Sequence, residues 1–153
     1  GHVTGVQTCA LPILLRHTRP YAGIEALLQA LAPAGTLAVL TNKPLHATRE
    51  ILDGLGLAAF FGGRVLGGDG PHPRKPDPSG LLQIIEEAGS DASRTLMVGD
   101  SVVDVRTAHA AGARACGARY GFGFTPAAHA TLRADDLLID NPLDLLARLG
   151  LAG

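Results

Sequence analysis

The chain has 153 residues, 46% of them hydrophobic and 18% charged, with a formal net charge of −1. That is one globular domain with enough apolar content for a core, and it lacks the basic field that a nucleic-acid backbone or an anionic membrane surface would need. Its longest strongly apolar run, CALPILL, is far shorter than the roughly 20 residues of a membrane span, and it has neither the preceding Lys or Arg nor the following cleavage site of a secretory signal.

In chain order the first stretch is VTGVQTCALPI, residues 3 to 13. It shows no helical period and no alternation, and a proline interrupts its apolar run, although a first strand would normally stand here. Cys9 within it and the distant Cys116 form no C-x-x-C and no metal-ligand spacing, and read as unpaired thiols of a reducing cytoplasm.

From residue 14 onward helix and strand alternate. Ile24, Leu27, Leu28 and Leu31 form one apolar helical face that APAG (32 to 35) ends. TLAVLT (36 to 41) is a nearly continuous apolar run, as in a strand buried on both faces. A helix is predicted from Pro44 to Leu55, then a weak strand in GRVLGG (63 to 68) and the proline-dense loop GPHPRKPDP. Leu81, Ile84, Ile85 and Ala88 repeat the helical face before Gly89 closes it. TLMVGD (95 to 100) reads as a strand, Ser101 to Ala111 as a helix, ARACGA (113 to 118) and LLID (137 to 140) as strands, and Pro142 to Leu149 as a last helix. Such alternation predicts an α/β fold, a doubly wound parallel sheet.

In an open parallel sheet ligands bind beyond the carboxyl ends of the strands, and three such places carry chemistry. In LTNKP, Thr41, Asn42 and the start of the next helix make a small anion site; a plain helix cap by Thr41 or Asn42 is the competing reading. In PRKPDP, Lys75 is an ammonium flanked by prolines that restrict the loop, against the simpler reading of a solvated lysine beside Arg74. In VGDSVVD, Asp100 follows a buried run and Asp104 lies one helical turn on, two hard oxygen donors suited to Mg2+. Ser101 and Asp104 also match a capping box, which accounts for them without needing Asp100. Together an anion cradle, a tethered cation and a pair of carboxylates describe a site for phosphoryl transfer.

VLTNKP, PRKPDP and LMVGDSVVD, in this order and at these intervals, resemble the second, third and fourth motifs of the haloacid dehalogenase superfamily. The nearest resemblance is to its phosphoglycolate phosphatase group, with TRPYAGIEALLQALAPAG leading in and RYGFG following. It covers about residues 14 to 149. The resemblance implies a Rossmann-like core and a Mg2+-dependent phosphomonoester hydrolase acting through an aspartyl-phosphate on a small phosphorylated metabolite. By it, Thr41 and Asn42 would hold phosphoryl oxygens and Lys75 would neutralise charge between nucleophile and phosphate. Asp100 would ligate the metal, Asp104 would support the metal or orient Lys75, and Lys43 would face the substrate. His46, His72 and His109 carry no role in this scheme.

The family's first motif, D-x-D at the end of the first strand, supplies nucleophile and general acid/base, and this sequence has no D-x-D and no Asp before Asp53. The helical cap is missing too, and LLRHTRP (14 to 20) resembles the link by which a cap returns to the core. The chain therefore resembles the carboxyl-terminal part of a longer phosphatase, residues 14 to 153, expected to lack the family's first strand and the nucleophile, to be inactive, to bind metal weakly, and to leave the central place in the sheet either as a gap, whose unpaired edges would promote association, or badly filled. Residues 3 to 13 are similar to the translation of a sequencing-library adapter, and residues 1 to 13 are accordingly expected to form no domain. Two other readings remain: a mutase, pyrophosphatase or nucleotidase of the same superfamily, and a non-catalytic phosphate-binding or receiver-like module.

Overall fold

The computed structural model describes residues 5–16 and 19–151. Its strands are β1 (Val6–Cys9), β2 (Leu15–Arg16), β3 (Arg19–Pro20), β4 (Thr36–Leu40), β5 (Val65–Leu66), β6 (Thr95–Gly99), β7 (Arg114–Ala118) and β8 (Leu137–Ile139). Its α-helices are α1 (Ile24–Leu31), α2 (Leu45–Gly54), α3 (Ala58–Phe61), α4 (Ser79–Glu87), α5 (Val102–Ala111), α6 (Pro126–Thr131) and α7 (Asp144–Arg148). One six-stranded sheet runs in the order β5-β4-β1-β6-β7-β8 with every pairing parallel, and β2 and β3 form a separate antiparallel pair.

Burial on both faces explains why these strands read as apolar runs without alternation. Along β4, Leu37 and Val39 join one core cluster while Ala38 and Leu40 join the other. The four apolar residues of α1 all enter the first cluster, and Leu81, Ile84 and Ile85 of α4 the second. Two short helices, α3 and α6, were not expected from the sequence; at four and six residues they are too short to establish a period.

Of the two outcomes expected for the central place in the sheet, the gap is corrected by the structure and the poor filling is what it shows. Residues Val6–Cys9 lie between β4 and β6, paired in register with both: Thr8 stands opposite Ala38 on one side and Met97 on the other. A slot between two parallel strands binds backbone, which any non-proline sequence offers, so four residues without strand-like patterning can still occupy it. No gap is left there to promote association. The fit of side chains is poorer: Gln7 Oε1 and Thr8 Oγ1 are buried and find no hydrogen-bond partner among the described residues.

Cys9 and Cys116 flank Val98 across β6 in register. Two strand spacings of about 4.8 Å put their Cα atoms beyond the roughly 7 Å reach of a disulfide. Both remain buried free thiols, and burial pushes each up to about 12.

Because β1 feeds β4 and β5 on one side while β6, β7 and β8 lie on the other, the connections diverge at the carboxyl end of β1. That divergence opens the crevice in which ligands of such sheets bind.

Candidate active site

The crevice is a cavity of about 630 Å³ whose lining includes Thr41, Asn42, Lys43, Lys75, Asp100 and Asp104. All six residues singled out in the sequence therefore meet in one place. They come from the ends of β4 and β6, the proline-rich loop before α4, and the first turn of α5.

Thr41 is buried at the end of β4, and its Oγ1 accepts the Lys43 N–H at 3.1 Å. A hydroxyl that accepts in this way keeps its own proton to donate. The side chain of Asn42 is turned to the lysine segment. Its Oδ1 accepts the Lys75 N–H at 2.8 Å and its Nδ2 donates to the Lys75 carbonyl at 3.2 Å, so both ends of the amide hold the lysine segment. Lys43 is exposed at the rim.

Lys75 Nζ lies 2.7 Å from Asp104 Oδ1, and the two side chains are only 7% and 5% exposed. A buried ion pair is tolerable only when its remaining polar atoms are also satisfied, and for Asp104 they are. Asp104 Oδ2 accepts from Ser101 Oγ at 3.0 Å and from the Asp100 N–H at 3.2 Å. Ser101 Oγ in turn accepts the Asp104 N–H at 3.2 Å. The cap by Ser101 and the lysine contact are thus both present, and the Asp104 carboxylate uses different oxygens for Ser101 and Lys75. Gly99 is required for this, because a Cβ there would overlap the Asp104 carboxylate.

Asp100 is buried, and its Oδ2 accepts the Gly123 N–H at 3.0 Å. Burial raises its carboxyl above the ordinary range, a shift that the Gly123 hydrogen bond opposes and the neighbouring Asp104 reinforces. A side chain on Gly121 would overlap Asp100, so the loop can close over this carboxylate only with glycine there.

As a Mg2+ site the donor set fits in part. Asp100 offers one carboxylate at a strand end, the kind of oxygen the ion accepts alongside waters and phosphate. Asp104 stands beside it, with Oδ1 paired to Lys75 and Oδ2 accepting from Ser101 and the Asp100 N–H. Among the described residues no group of three His, Cys, Asp or Glu side chains could enclose a metal. At the β1 edge the cavity is lined by Leu11 and Pro12.

Several contributors escaped the sequence reading. Arg74 lines the cavity and donates from Nη2 to the Asn42 carbonyl at 2.8 Å, and Phe122 and Gly123 complete the rim. RYGFG held the signal for the last two, as two glycines around an aromatic ring, but their contact with Asp100 spans more than twenty residues. The histidines stand elsewhere: His46 pairs with Glu50 in solvent, His72 meets Gln83, and His109 is packed against Asp136 at 2.7 Å.

Comparison with known proteins agrees with this geometry. A haloacid dehalogenase-like hydrolase family model matches residues 2–112. A phosphoglycolate phosphatase of Rhodospirillum rubrum is 47% identical over 109 residues, which are 71% of this chain and 45% of the relative. An N-acetylmuramic acid 6-phosphate phosphatase of Pseudomonas aeruginosa is 36% identical over 131 residues, 84% of this chain and 57% of the relative. The crystal structure of a predicted phosphoglycolate phosphatase from Haemophilus somnus superposes with a TM-score of 0.77 at 31% identity, covering 86% of this chain and 57% of that one. The chain spans about half the length of the curated relatives it matches. With three motifs converging on one strand-end cavity and a family model matching most of its length, the chain belongs to the haloacid dehalogenase-like hydrolases.

Proposed function

We propose that this chain is the phosphate-binding core of a phosphomonoester hydrolase of the phosphoglycolate phosphatase type. The observation that carries the reading is the buried Lys75–Asp104 pair, whose ammonium is held at the cavity beside Thr41 and Asp100. In this reading Lys75 neutralises a phosphoryl oxygen and Thr41 donates its hydroxyl proton to another. Asn42 fixes the lysine segment by its two hydrogen bonds, and Asp104 sets the direction of the ammonium. Lys43 faces the substrate at the rim. Asp100 is the residue that would hold Mg2+, which when bound supplies positive charge against the phosphoryl oxygens.

The β1 edge, Leu11 and Pro12, offers no carboxylate. Val6–Cys9 therefore fill the central slot without supplying a nucleophile, and the chain by itself binds phosphate and turns nothing over. The same edge favours a second reading, a module that binds phosphate without catalysis. A cytoplasmic setting fits the free thiols, and among the described residues no helix is long and apolar enough to cross a membrane.

Calorimetric titration with inorganic phosphate, with and without Mg2+, is the test. Binding that is lost in Lys75→Met supports the site, and no binding in the parent chain removes it. Turnover of phosphoglycolate or p-nitrophenyl phosphate that Asp100→Asn abolishes would overturn the inactive part.

A further inference from the structure

A cavity of about 180 Å³ opens between α2, α3 and β5 and shares no lining residue with the phosphate cavity. Its floor is core: Leu52 and Val65 are buried members of the first cluster, and Ala58 packs against that cluster. β5 ends the sheet on this side, so among the described residues no further strand covers Val65. Gly62 and Gly63 form the wall between α3 and β5. Gly62 has a φ of +57°, which glycine adopts without strain. Arg64 fixes the turn, donating from Nε to the Leu37 carbonyl at 2.8 Å and from Nη2 to the Phe60 carbonyl at 3.4 Å. The space beside the wall is open, because a Cβ on Gly63 would meet nothing within 4 Å.

The rim carries one charge of each sign. Arg49 and Asp53 both line the cavity, are exposed, and stand one helical turn apart on α2, a spacing at which side chains can reach each other. Neither enters an ion pair or a side-chain hydrogen bond among the described residues, whereas His46 and Glu50 on the same helix meet at 3.2 Å. A base that precedes its acid along a helix is the weaker order for such a pair. Both charges are therefore left to a ligand, side by side above an apolar floor.

We propose that this cavity is a binding site for a branched aliphatic α-amino acid of about the size of leucine. The ligand's carboxylate meets Arg49, its ammonium meets Asp53, and its side chain covers Leu52, Ala58 and Val65. A zwitterion answers both rim charges, while a simple anion or cation leaves one of them unanswered. The size agrees: a cavity of about 150 Å³ takes a benzene molecule, and drug-sized ligands need roughly 300 Å³ or more. Nothing in this site depends on the phosphate reading.

Proton–nitrogen correlation NMR of the whole chain reads the site directly, through the amides of Gly62 and Gly63 that line it. The probes are leucine, isocaproate, which lacks the ammonium, isoamylamine, which lacks the carboxylate, and glycine, which lacks the side chain. Leucine should shift both amides saturably with a Kd of about 1 mM. Glycine should bind at least about tenfold more weakly, and isocaproate and isoamylamine about threefold more weakly than leucine. Arg49→Gln should bring leucine down to the level of isoamylamine and leave isoamylamine unchanged. Asp53→Asn should bring it down to the level of isocaproate and leave isocaproate unchanged. Both positions are exposed, so each variant should keep the parent spectrum away from the cavity.

That pattern of losses supports the site. Glycine amides that stay in place with leucine at about 20 mM, far above the expected Kd, overturn it. Leucine binding that neither substitution weakens puts the ligand elsewhere and overturns it as well. Isocaproate or isoamylamine binding as tightly as leucine overturns the zwitterion, and the ligand class with it.

Discussion

The carboxyl ends of β4 and β6 and the carboxyl end of β1 open on the same cavity, yet they are built differently. After β4 and β6 the buried and half-buried polar side chains at the site have partners: Asn42 with Lys75, Lys75 with Asp104, Asp104 with Ser101, Asp100 with Gly123. β1 lies between them with its backbone paired on both sides, but its side chains leave Gln7 Oε1 and Thr8 Oγ1 unpartnered and its end brings Leu11 and Pro12 to the cavity. The difference shows that holding a place in a parallel sheet and furnishing a site are separate demands. The first is met by peptide groups and the second only by particular side chains.

The comparison breaks most visibly at the ion pair. Lys75→Met should strand a buried carboxylate and cost about 3 kcal/mol in urea unfolding, with phosphate binding lost. Adding Asp104→Leu should return much of that stability, and a double variant as unstable as the single one would mean that Asp104 is held chiefly by its cap.

On the β1 side the sign reverses. Gln7→Met or Thr8→Val, near-isosteric and without the unpartnered oxygen, should each stabilise by about 1 kcal/mol. Loss of stability in both would show that the strand is better matched to its slot than its side chains indicate.

Acid titration gives a contrast of the same kind. Burial raises the Asp136 carboxyl, but hydrogen bonds from the Ala115 and Arg133 N–H groups and from His109 outweigh it and hold the group below its ordinary range. Its stability contribution is therefore complete above the unfolded-state value and is lost as pH falls through the lower folded one. Asp100 is raised, so the folded state binds its proton more readily than the unfolded chain. Its charge costs stability at neutral pH, a cost that fades as pH falls through the raised value. Asp136→Asn should flatten the acid limb of the stability profile, and Asp100→Asn should raise Tm slightly at neutral pH; a fall in Tm would show the carboxylate to be better solvated than its burial implies.

The smallest expected effect is none at all. With both thiols buried and pushed up to about 12, neither cysteine should react with a disulfide reagent at neutral pH until the chain unfolds. Reaction of Cys9 ahead of Cys116 under native conditions would show β1 opening on its own.

Much of this was legible in the chain itself. The helix faces of α1 and α4 and the apolar runs of β4 and β6 are local patterns, and they placed the elements within a residue or two. The six site residues were legible because each follows directly on such a run, in Thr41, Asn42 and Lys43 after β4 and in Asp100 and Asp104 after β6, or stands in a proline-fixed loop, as Lys75 does. What stayed hidden were contacts between segments far apart in sequence. Nothing local shows the Asn42 amide facing Lys75, 33 residues away.

The sequence by itself determined the doubly wound core and the residues at its strand ends, since burial on two faces and turn chemistry are written at short range. Only the tertiary structure decided that residues 6 to 9 enter the central slot, that one Asp104 carboxylate both holds the Ser101 hydroxyl and pairs with Lys75, and that Asn42 grips the Lys75 backbone. Those outcomes depend on which backbone and side-chain atoms meet across the sheet, and hydrogen-bond partners chosen across tens of residues leave no period in the chain.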